Sequence, residues 1–191
     1  MSVLVVGLLL FLGVHSTSII APRWRDRMVA RLGEGAWKGL YGAASLVGLV
    51  LVIWGYGLAR QEPVLLYVPP AGVRHLGLLL LLFVFPLLLA TYLPGKIRQR
   101  LKHPMLVAVK LWAVAHLLMN GMLADVVLFG AFLGWAVIDR VSLKHRPQRE
   151  MLASAPPSRY NDAIAVVAGL ALYAAFVFGL HRWLIGVPVV A

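Results

Sequence analysis

Cysteine is absent from this 191-residue chain, and acidic residues are scarce, with Asp and Glu together numbering 7. Without thiols the protein can form no disulfide, no Cys-ligated zinc or iron–sulfur site and no covalently attached c-type haem. Sparse carboxylates also exclude a di-iron helical bundle of the Glu and Glu-x-x-His type. H-E-x-x-H, P-loop and G-x-S-x-G motifs are missing from the sequence, which excludes the chemistries that they mark. A cofactor would have to be held by His, Met, carboxylates or non-covalent contacts.

Charge of either sign is limited, because charged residues make up 13% of the sequence and apolar residues 61%. The mean hydropathy is +0.87. Soluble domains average about 25% charged and about 45–50% apolar residues. A water-soluble domain of this composition would expose large apolar patches. The composition therefore predicts an integral membrane protein rather than a soluble enzyme, a disordered chain or a nucleic-acid-binding domain.

Six apolar runs approach the length of about 20 residues that a membrane-crossing helix needs. We predict an all-α, polytopic membrane bundle of about six transmembrane helices, forming a single domain over residues 1–191. Pro86 lies inside the third run and predicts a kink there. Small residues in the second run, Gly35 with Gly39 and Gly42 with Ser45 and Gly48, predict close helix packing. The predicted spans are 3–21, 36–59, 73–93, 104–119, 123–141 and 163–180.

The net charge of +11 is explained by where the basic residues lie. They concentrate in the first, third and fifth gaps between the apolar runs, whereas the other gaps and the C-terminal tail contain only Arg60, Arg74 and Arg182. The positive-inside rule then places the odd gaps in the cytoplasm and both termini on the opposite face. Membrane lipid is the partner that this pattern predicts, and a nucleic-acid ligand is unnecessary.

Two imidazoles, His15 in the first run and His116 in the fourth, fall at membrane depth. Ionisable groups there are functional candidates because their insertion into lipid is unfavourable. Helical spacing puts Trp112, His116 and Asn120 on one face of the fourth run. Two His from facing helices suit bis-axial ligation of a b-type haem, and apolar walls suit the porphyrin. Two alternatives stay open: the imidazoles hydrogen-bond neighbouring helices, or scattered His hold a zinc or copper ion.

Further polar residues line the fourth and fifth runs. His103 begins the fourth run and shares a second face with Lys110. Lys110 can extend its stem toward the cytoplasm and pair with Asp139, which is a structural rather than a catalytic role. Asp125, near the start of the fifth run, is expected to cap the hairpin between these two runs.

Several motifs together carry a family resemblance. They are Gly7-x-x-x-Phe11-x-x-x-His15-Ser16, His103-Pro104-Met105, Lys110-x-Trp112-x-x-x-His116-Leu117-x-x-Asn120-Gly121 and Trp135-Ala136-x-x-Asp139-Arg140. The chain in this respect resembles the NnrU family. That resemblance implies a bacterial inner-membrane protein that is associated with denitrification and nitric-oxide metabolism. With the sorting of basic residues, it predicts a multi-pass protein with both termini in the periplasm.

A relative of the NnrU family, the plant zeta-carotene isomerase, is a haem b membrane enzyme. Its axial His positions match His15 and His116 here, and His103 is the nearest substitute for the second ligand. The resemblance implies haem b, with isomerase or redox chemistry on a lipophilic substrate such as a carotenoid. Trp112 and Asn120 would then lie beside the haem and Lys110 near a propionate. The isomerase carries a Cys near its second His, and this Cys-free chain cannot exchange such a thiolate onto iron.

Two other functions fit the same sequence. The His103-Pro104 segment distantly resembles that of membrane methyltransferases that use S-adenosylmethionine, although Lys102 stands where those enzymes have Arg. A non-enzymatic assembly or transport factor would use the buried polar groups only for packing.

The distribution of basic residues predicts a topology that reporter fusions can test. A reporter active only in the cytoplasm should be inactive when fused after Ala191 and active when inserted in the third or fifth gap. The reverse pattern would contradict the predicted orientation.

Overall fold

The computed structural model describes residues 1–146 and 154–189, and helices dominate them. The only β-bridge among these residues is an isolated antiparallel one between Leu65 and Met122. Every predicted apolar run contains a helix, so the all-α prediction is confirmed. The helices are α1 (Ser2–His15), α2 (Thr17–Ile20), α3 (Pro22–Leu32), α4 (Glu34–Ala59), α5 (Val73–Leu81), α6 (Val84–Tyr92), α7 (Lys96–Leu101), α8 (Pro104–Met119), α9 (Leu123–Ser142), α10 (Asn161–Ala175) and α11 (His181–Ile185).

Three helical stretches are long and apolar enough to cross a membrane: Glu34–Ala59, Val73–Tyr92 and Asn161–Ile185. A π-helical segment, Phe176–Leu180, joins α10 to α11 within the last of them. Ser2–His15 and Pro104–Met119 are shorter apolar helices. The chain is an all-α membrane protein.

The first apolar helix is shorter than predicted, since α1 ends at His15 and not near residue 21. The hydroxyl groups of Ser16 and Thr17 donate to the carbonyl oxygens of Leu12 and Val14 over 2.7 and 2.8 Å. Such side-chain bonds compete with the helical backbone ladder. The chain turns here and continues as the short helix α2.

The described residues form two compact units, 1–68 with 120–146 and 69–119 with 154–189. In the first unit, α1 and α4 run antiparallel with their backbones in close contact. A Cβ atom on Gly7 would lie 2.6 Å from the backbone nitrogen of Val52, and one on Gly48 would lie 2.8 Å from that of Phe11. A Cβ on Gly55 would overlap the backbone of Leu4. Close approach of this kind requires glycine.

The predicted small-residue contacts are partly wrong. Gly48 is a contact residue, but Gly35, Gly39 and Gly42 have no neighbour within 4 Å of a Cβ position. The contact surface continues toward the C-terminal end of α4 instead, through Gly55, because α1 packs along that half of the helix.

In the second unit, the predicted kink at Pro86 is confirmed as a break between α5 and α6 at Leu82 and Phe83. Proline has no N–H to donate to the carbonyl four residues earlier, which is that of Leu82. A Cβ atom on Gly169 of α10 would overlap the backbone of Pro86. The kinked helix therefore packs tightly against α10.

Two neighbouring polar residues at the start of α10 hold the loop before α7. Asn161 Nδ2 donates to the carbonyl oxygens of Pro94 and Pro156 over 2.8 and 3.1 Å. The Asp162 carboxylate accepts the backbone N–H groups of Lys96 at 2.7 Å and Ile97 at 3.1 Å. These bonds satisfy N–H groups that the first turn of α7 leaves without helical partners.

The α1–α4 contact makes two glycines of one helix respond oppositely to alanine. Gly55→Ala forces a Cβ onto the Leu4 backbone, and we expect it to lower the free energy of unfolding by roughly 1–3 kcal/mol. Gly57→Ala adds a Cβ into open space and should raise that free energy by about 0.5–1 kcal/mol. Thermal unfolding in detergent measures both, and equal effects would contradict the packing described.

Candidate functional site

The imidazole of His15, at the end of α1, has its ring nitrogen Nδ1 2.7 Å from the carbonyl oxygen of Phe11. A carbonyl oxygen only accepts hydrogen bonds, so Nδ1 carries the hydrogen of the neutral ring. The lone pair of this tautomer is on Nε2, the nitrogen that would bind a metal. A backbone bond of this kind also fixes the orientation of the ring.

Aromatic rings from three helices surround the His15 ring. Its centroid lies 4.3 Å from that of Phe11, 5.3 Å from Tyr41 on α4 and 6.0 Å from Trp135 on α9. The Trp135 ring stands perpendicular to the imidazole, at 89°. Phe132 extends the cluster, 5.7 Å from Phe11. The first unit therefore holds His15 against flat, apolar surfaces of the kind that suit a porphyrin.

Three polar atoms of the same unit are buried without a hydrogen-bond partner among the described residues. They are the indole Nε1 of Trp135, the hydroxyl oxygen of Ser45 and one guanidinium nitrogen of Arg146. A buried donor with no acceptor is unfavourable by about 1–3 kcal/mol. The orphaned donor of Trp135 belongs to a ring that already contacts His15, so a polar group bound beside this imidazole would have a donor available.

His116, in α8 of the second unit, repeats the arrangement of His15. Its Nδ1 lies 2.8 Å from the carbonyl oxygen of Trp112. The two rings are neighbours, with centroids 5.3 Å apart and planes at 53°. The prediction that Trp112 and His116 share a helix face is confirmed, whereas Asn120, predicted on the same face, lies beyond the end of α8. The tautomer is again the one with its lone pair on Nε2.

Comparison with protein-family models matches the NnrU protein family over residues 3–189. The match covers nearly the whole chain, including the helices that carry His15 and His116. The chain belongs to the NnrU family. No curated protein matches it, and neither does any solved structure.

The remaining predicted site residues of this NnrU protein occupy separate positions. His103 lies between α7 and α8, and its Nε2 is buried. Lys110 is half-buried on α8. Asn120 belongs to the first unit, where its carbonyl oxygen accepts the Tyr67 hydroxyl at 2.7 Å. The roles of these three residues toward a cofactor stay predictions.

Asp139 has a different partner from the one predicted. Its carboxylate forms an ion pair with the guanidinium of Arg146, and both side chains are largely buried. Arg146 follows Asp139 by seven residues, about two helical turns, so the chain just beyond α9 brings the long side chain back to the carboxylate. Lys110 belongs to the other unit, and its predicted pairing, which would be a second contact of the same carboxylate, stays a prediction.

Asp125 is the cap that the sequence predicts. Its Oδ2 accepts the backbone N–H of Met122 at 3.2 Å, at the start of α9. Its Oδ1 also accepts the Tyr56 hydroxyl at 2.6 Å, a bond that links α4 to α9. Burial and, secondly, the charge of Asp125 raise the pKa of the Tyr67 phenol in the loop nearby. This carboxylate thus organises one end of the first unit.

The described residues of neither unit gather three His, Asp or Glu side chains that could share a metal ion. A zinc or copper site of three protein ligands therefore has no support in these parts of the NnrU protein. The residues that sequence reasoning missed are aromatic: Tyr41 and the Trp135 edge beside His15. Their only sequence signal is a Tyr and a Trp inside apolar runs, which is too common to identify a site.

Proposed function

We propose that this NnrU protein binds haem b, with the imidazoles of His15 and His116 as axial ligands. Each residue is assigned from its own surroundings and from the matching positions of the haem-binding relative that the sequence resembles. The observation that carries the proposal is shared by both imidazoles: Nδ1 bonds the carbonyl oxygen of an aromatic residue one turn earlier, at 2.7 Å for His15 and 2.8 Å for His116, and the ring of that residue lies beside the imidazole.

That bond supports metal ligation for two physical reasons. It leaves the lone pair on Nε2, the ring nitrogen farther from the backbone. It also makes Nε2 a better electron-pair donor to a metal, because a hydrogen bond at the other ring nitrogen raises the basicity of the imidazole. His181 has a similar bond, from Nδ1 to the carbonyl of Val187 at 2.7 Å. The tautomer alone therefore does not define a ligand, and the aromatic neighbours of His15 and His116 distinguish them.

The other residues would position the group and exclude water. Phe11, Tyr41 and Trp135 supply apolar faces around His15, and Trp112 does so beside His116. The orphaned indole donor of Trp135 suits a haem propionate, and Lys110 is a second candidate for one. His103 is the substitute if His116 is not the second ligand.

A bound haem b would supply an iron centre for redox chemistry, for nitric oxide or for isomerisation of a lipophilic polyene. The proposed role lies in denitrification and nitric-oxide metabolism or in isomerase or redox chemistry on such a substrate. The proposed location is the bacterial inner membrane, with several membrane crossings and both termini in the periplasm. The sorting of basic residues supports this orientation.

Haem content measured for single variants tests the assignment. Protein purified from haem-sufficient cells should show a Soret band, and His15→Ala and His116→Ala should each lose most of it or shift it strongly, because each removes an axial ligand. The measurement is haem bound per polypeptide, by absorption after extraction.

His181→Ala is the matched control, since it removes an imidazole whose Nδ1 also bonds a backbone carbonyl, that of Val187, and His75→Ala is a second. Both should keep full haem content. Full haem content in both His15→Ala and His116→Ala would refute the proposal. Loss in His103→Ala without loss in His116→Ala would move the second ligand to His103.

A further inference from the structure

The second unit has an excess of positive charge around α7. Four basic residues occur within seven positions there: Lys96, Arg98, Arg100 and Lys102. Asp162 is the one acidic residue among the described parts of this unit, 69–119 and 154–189. Both of its carboxylate oxygens accept backbone N–H groups at the start of α7. The four cations therefore have no carboxylate partner among those residues.

Part of this charge lines a cavity. The cavity is formed by Pro94, Gly95, Arg98, Gln99 and Lys102. Positions 95, 98, 99 and 102 follow the spacing of one helix face. Lys96 and Arg100 are exposed on the same short helix but do not line the cavity. Arg98 is half-buried, and one of its guanidinium nitrogens donates to the Ser154 hydroxyl at 3.0 Å.

Lys102 adopts a backbone conformation that disfavours lysine. Its φ angle is +62°, the only positive φ of a non-glycine residue in the described chain. Such a conformation is unfavourable by roughly 1–2 kcal/mol for residues with a Cβ, and glycine avoids that strain. A lysine held there at the cavity wall is consistent with a use for its ammonium group.

The position of α7 indicates which anion is available to these cations. The helix connects the end of the apolar stretch Val73–Tyr92 to the apolar helix Pro104–Met119. A connection between two membrane-embedded helices lies at the lipid headgroups, where phosphodiesters are the abundant anions. Arg can bind a phosphate through two parallel N–H donors, and Lys contributes a point charge.

We propose that this cavity binds the phosphodiester headgroup of an anionic phospholipid. The Arg98 guanidinium and the Lys102 ammonium bind the phosphate, and the Gln99 amide faces the polar remainder of the headgroup. The Asp162 carboxylate lies against Gly95 at the cavity wall but is occupied by the α7 backbone. The site is independent of haem binding.

Native mass spectrometry of the delipidated full-length protein with phosphatidylglycerol tests this site. A hydrogen bond to a charged group contributes about 1.5–3 kcal/mol, which corresponds to roughly tenfold or more in affinity. We expect Arg98→Gln and Lys102→Gly each to weaken phosphatidylglycerol binding roughly tenfold or more. Lys96→Gln and Arg100→Gln are matched controls, which remove the same charge outside the cavity and should have much smaller effects.

Lys102→Gly also separates binding from folding. The glycine relieves the positive-φ strain, so the lipid-free variant should unfold at the same temperature as wild type or higher while it binds lipid more weakly. Equal losses in all four variants would show diffuse attraction instead of a site and would overturn the proposal. Equally tight binding of phosphatidylcholine, or binding of inorganic phosphate without any phosphatidylglycerol binding, would overturn it as well.

Discussion

A polar side chain on an apolar helix needs a hydrogen-bond partner within reach, and in this protein the partner is often the backbone carbonyl one turn earlier. His15, Ser16, Thr91 and His116 all bond in this way, over 2.7–3.0 Å. For a hydroxyl group the bond simply satisfies a donor. For an imidazole it also decides which nitrogen keeps the lone pair, so Nε2 is the nitrogen left to accept a hydrogen bond or to bind a metal.

The two units hold their helices in place through different contacts. In the first, close α1–α4 packing through Gly7, Gly48 and Gly55 holds the helix that ends at His15. In the second, Pro86 breaks one helix, and Asn161 with Asp162 holds the loop before α7. Small residues allow backbones to approach where lipid supplies no hydrophobic force between helices. Asp125 and Asp162 each accept backbone N–H groups at the start of a helix.

Local rules made the sequence informative about some of these features. The break near Pro86, the shared face of Trp112 and His116 and the cap at Asp125 each depend on residues within one turn or two of each other. The apolar runs similarly predicted the helices, because period and length are properties of a single segment. Family membership was also accessible, since its motifs extend over most of the chain.

Features that depend on a partner segment were not predictable in this way. Gly35 and Gly48 are both small residues of the same apolar run, yet of the two only Gly48 contacts α1. The ion pair of Asp139 with Arg146 was not predicted, because the chain beyond α9 has to turn back to bring the guanidinium to the carboxylate. The aromatic ring of Trp135 beside His15 and the left-handed backbone at Lys102 likewise arise from tertiary packing.

The central proposal is that the imidazoles of His15 and His116, each with Nδ1 bonded to a backbone carbonyl, bind one haem iron. Low-temperature electron paramagnetic resonance of the purified ferric protein, with ¹⁵N-labelled histidine, examines this most directly. The account predicts a low-spin ferric haem with hyperfine coupling to two histidine nitrogens. A high-spin signal, coupling to one histidine only, or protein that purifies without haem from haem-sufficient cells would contradict it.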